Sequence, residues 1–103
     1  EPSLVSQIFT SFLKDGAERI GVLRSSLEAN DAELLRKTAH ALRGASGNVG
    51  AMHMADIAQQ LEALGKSSSM SGAVALIEQI EAEFGRVKAE IAELSIRTEP
   101  PTP

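Results

Sequence analysis

The chain contains no cysteine, no tryptophan and no tyrosine. Without cysteine it has no disulfide framework and no thiolate metal site, a composition that fits a reducing cytosol. Proline is missing from the interior. The four prolines are Pro2, Pro100, Pro101 and Pro103, so nothing between them breaks a helix. Positive charge is in short supply, with 10 Lys and Arg against 14 Asp and Glu and a net charge of −4. The basic footprint that nucleic acid requires is absent, as is the cationic face that would seek an anionic membrane. No apolar run approaches the roughly 20 residues of a membrane span, and no secretory leader is visible. The chain begins without Met, as a piece excised from a larger protein would.

What remains is helical material. The 103 residues suit one domain, and 43% are hydrophobic, enough for one modest core. Leucine and alanine with few aromatics favour helix over sheet. Residues 3–28 carry Leu4, Val5, Ile8, Phe9, Phe12, Leu13, Ala17, Ile20, Leu23 and Leu27 at steps of three and four, a helical period. They form either one helix or a short extra N-terminal helix ending in a break near Asp15–Gly16. Asn30 is the expected N-cap of a second helix over about 31–48, with Glu33 reaching back in a capping box. Gly50 marks a turn. Met54, Ile57, Ala58, Leu61 and Leu64 share one face of a third helix, for which Gly65 is the expected stop. Lys66-Ser67-Ser68-Ser69 reads as a loop. The last helix carries Met70, Ala73, Ile77, Ile80, Phe84, Val87, Ile91 and Leu94, a heptad-like seam. The expected architecture is all-α, an antiparallel up-down four-helix bundle over residues 1–97. A proline-rich tail or linker stub over 98–103 follows.

The most informative segment is His40-Ala41-Leu42-Arg43-Gly44-Ala45-Ser46-Gly47-Asn48-Val49-Gly50. Each interior glycine costs a helix about 1 kcal/mol relative to alanine. Residues three and four apart share a face, so Arg36, His40, Arg43, Gly44 and Gly47 line one stripe. Leu35, Thr38, Leu42, Ala45 and Val49 line another. A histidine thus stands on a face cleared of bulk and lined with arginine. An imidazole with a pKa near 6.5 is a nucleophile at neutral pH, and a nearby cation favours an incoming phosphoryl group. The plain alternatives are a solvated surface histidine and glycines that let helices pack. The second fits poorly, because Gly44 and Gly47 lie on the polar stripe. His53, beside Met52 and Met54, reads as a surface or loop-edge residue. His40 and His53 have neither the spacing nor the companions of a metal site, so no metal is expected. The glycine-rich stretch lacks the Lys-Ser/Thr ending of a nucleotide-binding loop.

The run from His40 to Ser46, with Gly50 ten residues after the histidine, resembles the signature of the histidine-containing phosphotransfer (HPt) domain. That signature reads His-x-Leu-Lys-Gly-x-Ser/Ala followed by a glycine at the next turn. The resemblance extends through Met54–Leu64 and the flanking helices to nearly the whole chain. It implies an up-down four-helix bundle and a phosphocarrier in multistep phosphorelays. In such a relay the histidine takes a phosphoryl group from a receiver-domain aspartate and passes it to another. Carried over by residue, it implies His40 as the phosphorylation site and Gly44 as the small neighbour that admits the receiver. It places Arg43 where the family usually has lysine, a change that keeps the charge but not the geometry. Arg36 and Gly47 complete the expected phosphate and receiver contacts. Glu62, with Gln59 on the same face, falls where the family holds the second ring nitrogen.

Such a domain is not an enzyme that binds ATP, and it carries no cofactor of its own, because magnesium comes with the receiver. The implied partners are response-regulator receiver domains, with no nucleic acid and no direct membrane contact. The isolated domain is expected to be a monomer. The expected setting is the C-terminal module of a hybrid sensor kinase, cytoplasmic in itself even where the parent protein is membrane-bound. The competing reading is a non-catalytic helical interaction module with an incidental histidine. A kinase dimerisation and phosphoacceptor segment is a third, disfavoured because Ala41 stands where that segment has an acidic residue.

Overall fold

The computed structural model describes residues 3–98, with side chains to Leu94. Four helices follow one another: α1 over Leu4–Glu28, α2 over Ala32–Asn48, α3 over Met52–Lys66 and α4 over Ala73–Thr98. Among the described residues there is no strand. Each helix packs on its two neighbours in a ring, α1 on α2, α2 on α3, α3 on α4 and α4 on α1. This is the antiparallel up-down bundle that short connections impose. No described helix is long and apolar enough to cross a membrane.

One stripe of each helix faces inward. Leu23, Leu35, Leu42, Met54, Ile57, Leu61, Ile77 and Ile80 are almost wholly buried. Each contributes about 1.5–3 kcal/mol relative to exposure. Along the α4 seam Ala73, Ile77, Ile80, Val87 and Ile91 are buried and Phe84 is half-buried, but Leu94 is exposed and Met70 lies in the turn before the helix. The bundle is closed between α1 and α4 by the Arg24–Glu81 ion pair at 2.6 Å.

The first helix is continuous, so the extra N-terminal helix and the break near Asp15–Gly16 are not there. The reason is tertiary. Gly16 is buried, and a Cβ on it would lie 2.7 Å from the Phe84 ring of α4. The glycine makes room for that ring, which also meets Phe12 at a centroid distance of 6.0 Å. It is a packing point rather than a breaker.

The three turns between helices are built alike. In each, a residue with left-handed backbone follows the helix: Asn30 at φ 53°, Gly50 at φ 79° and Ser68 at φ 57°. In each, the next amide bonds back across the last turn, Asp31 to Ser26, Ala51 to Ser46 and Ser69 to Leu64. The left-handed residue's own amide bonds to Leu27, Gly47 and Gly65 respectively. These paired bonds satisfy carbonyls that a helix end leaves open, the Schellman arrangement. Two expectations are corrected. Asn30 does not cap α2, because it terminates α1. The N-cap is Asp31, whose carboxylate accepts from the Leu34 amide, and Glu33 pairs with Arg36 instead of reaching back. Gly65 does not stop α3, which runs on to Lys66 and turns at Ser68. Thr98, expected to begin the tail, is the last residue of α4, and residues 99–103 lie outside the described part.

Candidate functional site

His40 sits midway along α2 with its side chain 60% exposed. Leu35, Thr38, Ala39 and Leu42 of the same helix face the core, which turns His40 outward beside α3. The facing residue on α3 is Glu62. Its carboxylate is only 5% exposed, and its Oε2 lies 2.8 Å from His40 Nδ1. The two helices meet in antiparallel register, so residues 22 apart in sequence share one level.

That contact selects a tautomer. A carboxylate can only accept, so Nδ1 carries the proton and donates it. The Arg43 Nη2 also lies 3.3 Å from Nδ1. Both nitrogens would then be donors, so this approach is not a hydrogen bond. The shorter contact, with opposite charge, determines the proton's place. Nε2 is left with a free lone pair on the outward side of the ring.

Glu62 gathers three basic groups. Arg43 Nε stands 3.3 Å from Oε1, and Lys66 Nζ stands 3.8 Å from Oε2. Burial pushes the Glu62 carboxyl up. The hydrogen bond from His40 and the charges of Arg43, His40 and Lys66 outweigh it and hold the group below the usual carboxylate range. The Arg43 approach lacks hydrogen-bonding alignment, so Oε1 is buried without a hydrogen-bond partner among the described residues. Arg43 is thus held near the site by charge and not locked in place, with its side chain 40% exposed.

Gly44 and Gly47 lie exposed on α2, and a Cβ on either would meet nothing within 4 Å. They are not packing glycines, and the surface beyond His40 toward the α2–α3 turn is bare of side chains at both. Arg36, one turn before His40, is engaged elsewhere. Its Nε and Nη2 donate to the two oxygens of Glu33, each at 2.8 Å. Gln59 is exposed one turn before Glu62 and has no hydrogen bond to the ring. Lys66 was not singled out from the sequence, although its i,i+4 spacing from Glu62 was a legible signal. His53 is exposed on the first turn of α3, and its charge helps hold the Glu83 carboxyl low, after the larger effect of Arg86. Among the described residues no cluster of three or more His, Cys, Asp or Glu could hold a metal ion.

A family model described as the Hpt domain matches residues 7–94. No curated protein sequence matches. Among solved structures, the chain is similar to the crystal structure of histidine-containing phosphotransfer protein B (HptB) from Pseudomonas aeruginosa PAO1. The TM-score is 0.86 and the identity 36%, over 89% of this chain and 80% of that one.

Proposed function

Because this chain belongs to the histidine-containing phosphotransfer family, we propose that His40 is the residue through which it carries phosphoryl groups. The protein is a phosphocarrier of phosphorelay signalling. The observation that best supports giving this role to His40 is the 2.8 Å bond from its Nδ1 to a buried carboxylate, on a ring otherwise open to solvent.

The Nε2 lone pair attacks the phosphorus of a receiver's aspartyl phosphate. The P–O bond to the aspartate breaks, and the carboxylate leaves with that electron pair. The imidazole then bears positive charge shared between its nitrogens. Glu62, already accepting from Nδ1, stabilises that charge and keeps the ring from turning. Arg43 leaves Oε1 for the arriving phosphoryl oxygens, and Lys66 adds a second cation on the α3 side. The reverse sequence delivers the group to the next aspartate. The receiver's acidic pocket supplies the magnesium, so this chain needs neither ATP nor a metal of its own, in keeping with the division of labour in phosphoryl transfer. Gly44 and Gly47 leave the space that a receiver needs to bring its aspartate to Nε2.

The test is uptake of acid-labile label from a phosphorylated receiver. His40→Gln is expected to take up none, and His53→Gln is expected to behave like wild type. Label on the His40→Gln chain would overturn the assignment. The proposed setting is the cytoplasmic C-terminal module of a hybrid sensor kinase. The flanking sequence tests it: a kinase core and receiver upstream support it, and a free-standing protein replaces it.

A further inference from the structure

We propose that Gly65 is a positioning residue for phosphotransfer, whose missing side chain sets the separation of α2 and α3 at which Glu62 reaches His40. The proposal rests on the reading of His40 as the phosphoryl carrier.

Gly65 is buried at the next-to-last position of α3. A Cβ built on it would lie 2.7 Å from Arg36 Cβ, 2.8 Å from Arg36 Cα and 2.8 Å from the Ala32 carbonyl oxygen. Two of those three atoms are backbone, and no rotamer change moves them. Carbon atoms in contact rest about 3.5–4.0 Å apart. Relief would therefore part the two helices by roughly an ångström at this level. Gly44 and Gly47 offer the contrast, since a Cβ on either meets nothing. Of the three glycines near the site, only Gly65 holds two backbones together.

This close approach lies beside the reactive pair. Gly65 is three residues after Glu62, and Arg36 is four before His40. The Gly65–Arg36 contact and the Glu62–His40 bond are thus successive levels of one antiparallel pair. The carboxylate spans the gap at 2.8 Å. An N–H···O bond weakens steeply beyond about 3.2 Å, so a parting of one ångström would cost the Nδ1–H its acceptor. Helix propensity alone makes the opposite forecast, because alanine is the better helix former. The expected outcomes of Gly65→Ala under the two views therefore differ in sign.

The experiment reads the tautomer of His40 directly, by nitrogen chemical shifts in the 15N-labelled full chain near neutral pH. Wild type is expected to show Nδ1–H. Gly65→Ala is expected to lose that preference to the same extent as Glu62→Ala, and to lower the melting temperature. Leu23→Ala, a fully buried change in α1, is expected to lower the melting temperature and leave the tautomer unchanged. Glu62→Asp shortens the reach without touching the helix contact and is expected to lose Nδ1–H as well. It decides the matter if Gly65→Ala does not fold. Retention of Nδ1–H in Gly65→Ala or in Glu62→Asp would overturn the proposal, as would an equal loss in Leu23→Ala. Label uptake by wild type is measured beside it. A wild-type chain that takes no label at His40 would remove the premise while leaving the tautomer result intact.

Discussion

Glu62 is almost entirely buried, while the histidine it holds is mostly exposed, and the two meet at 2.8 Å. The acceptor belongs to the interior and the proposed nucleophile to the surface. A buried carboxylate left without a partner costs several kcal/mol, so the site is also a structural necessity for α3.

The first expected outcome concerns the charge beside the ring. Arg43→Ala should slow transfer to His40 by on the order of tenfold, since about 1.4 kcal/mol is a factor of ten and a charge-assisted hydrogen bond is worth about 1.5–3 kcal/mol. Arg43→Lys should keep most of the rate. The side chain is 40% exposed, so the difference should shrink with rising salt. Single-turnover transfer from a phosphorylated receiver measures it. A rate indifferent to Arg43→Ala would leave the arginine as a companion of Glu62 only.

Access is tested at Gly44. Alanine there meets nothing and should raise stability by up to about 1 kcal/mol. Gly44→Leu should fold as well as wild type and yet receive phosphate far more slowly. Parallel losses in melting temperature and transfer would contradict the open-surface role.

The turns make a prediction about stability alone. Ser68 and Asn30 occupy left-handed backbone at φ 57° and 53°, which costs a non-glycine residue about 1–2 kcal/mol. Ser68→Gly should stabilise by about 0.5–1 kcal/mol after the entropy of glycine in the unfolded chain is set against that gain. Gly50→Ala, at φ 79°, should destabilise by about 1 kcal/mol or more. Urea midpoints of the two variants should therefore move in opposite directions.

Acid should weaken the bundle through its paired carboxylates. The Arg86 hydrogen bonds hold the buried Glu83 carboxyl below its usual value despite burial, with smaller help from the Arg86 and His53 charges. A group whose folded pKa is depressed contributes stability that is present above its unfolded pKa, near 4.5. That stability is lost as pH falls through the folded value. Glu62 and Glu81 have the same sign. Melting temperature should fall steeply below about pH 4.5, and Glu83→Gln should flatten that fall while lowering the plateau at neutral pH. An unchanged acid limb would remove Glu83 from the account.

Much of this architecture is legible in the amino-acid sequence. The helical periods, the four elements and the bundle follow from apolar spacing, because a stripe repeating at three and four has only one way to be buried. The stripe of His40, Gly44 and Gly47 was legible for the same reason. What escaped depends on contacts between distant residues. Gly16 looked like a break until Phe84 lay across it. Gly65 looked like a stop because glycine usually is one, and only the α2 backbone against it reveals another use. The cap shifted from Asn30 to its neighbour because both residue types cap helices and Asn30 is taken up by the left-handed turn that ends α1. The burial of Glu62 could not be read from its own charge, which argues for solvent.

The proposed phosphoryl carrier His40, its carboxylate partner Glu62 and the close-packed Gly65 all lie within the α2–α3 hairpin, residues 32–66. Closing so short a segment costs little chain entropy, and such local pairings form early in folding. The outer helices α1 and α4 supply the hydrophobic floor but none of the reacting groups. Their outward faces are therefore free to drift in sequence or to accept insertions and fusions, while the chemistry travels as a thirty-five-residue unit.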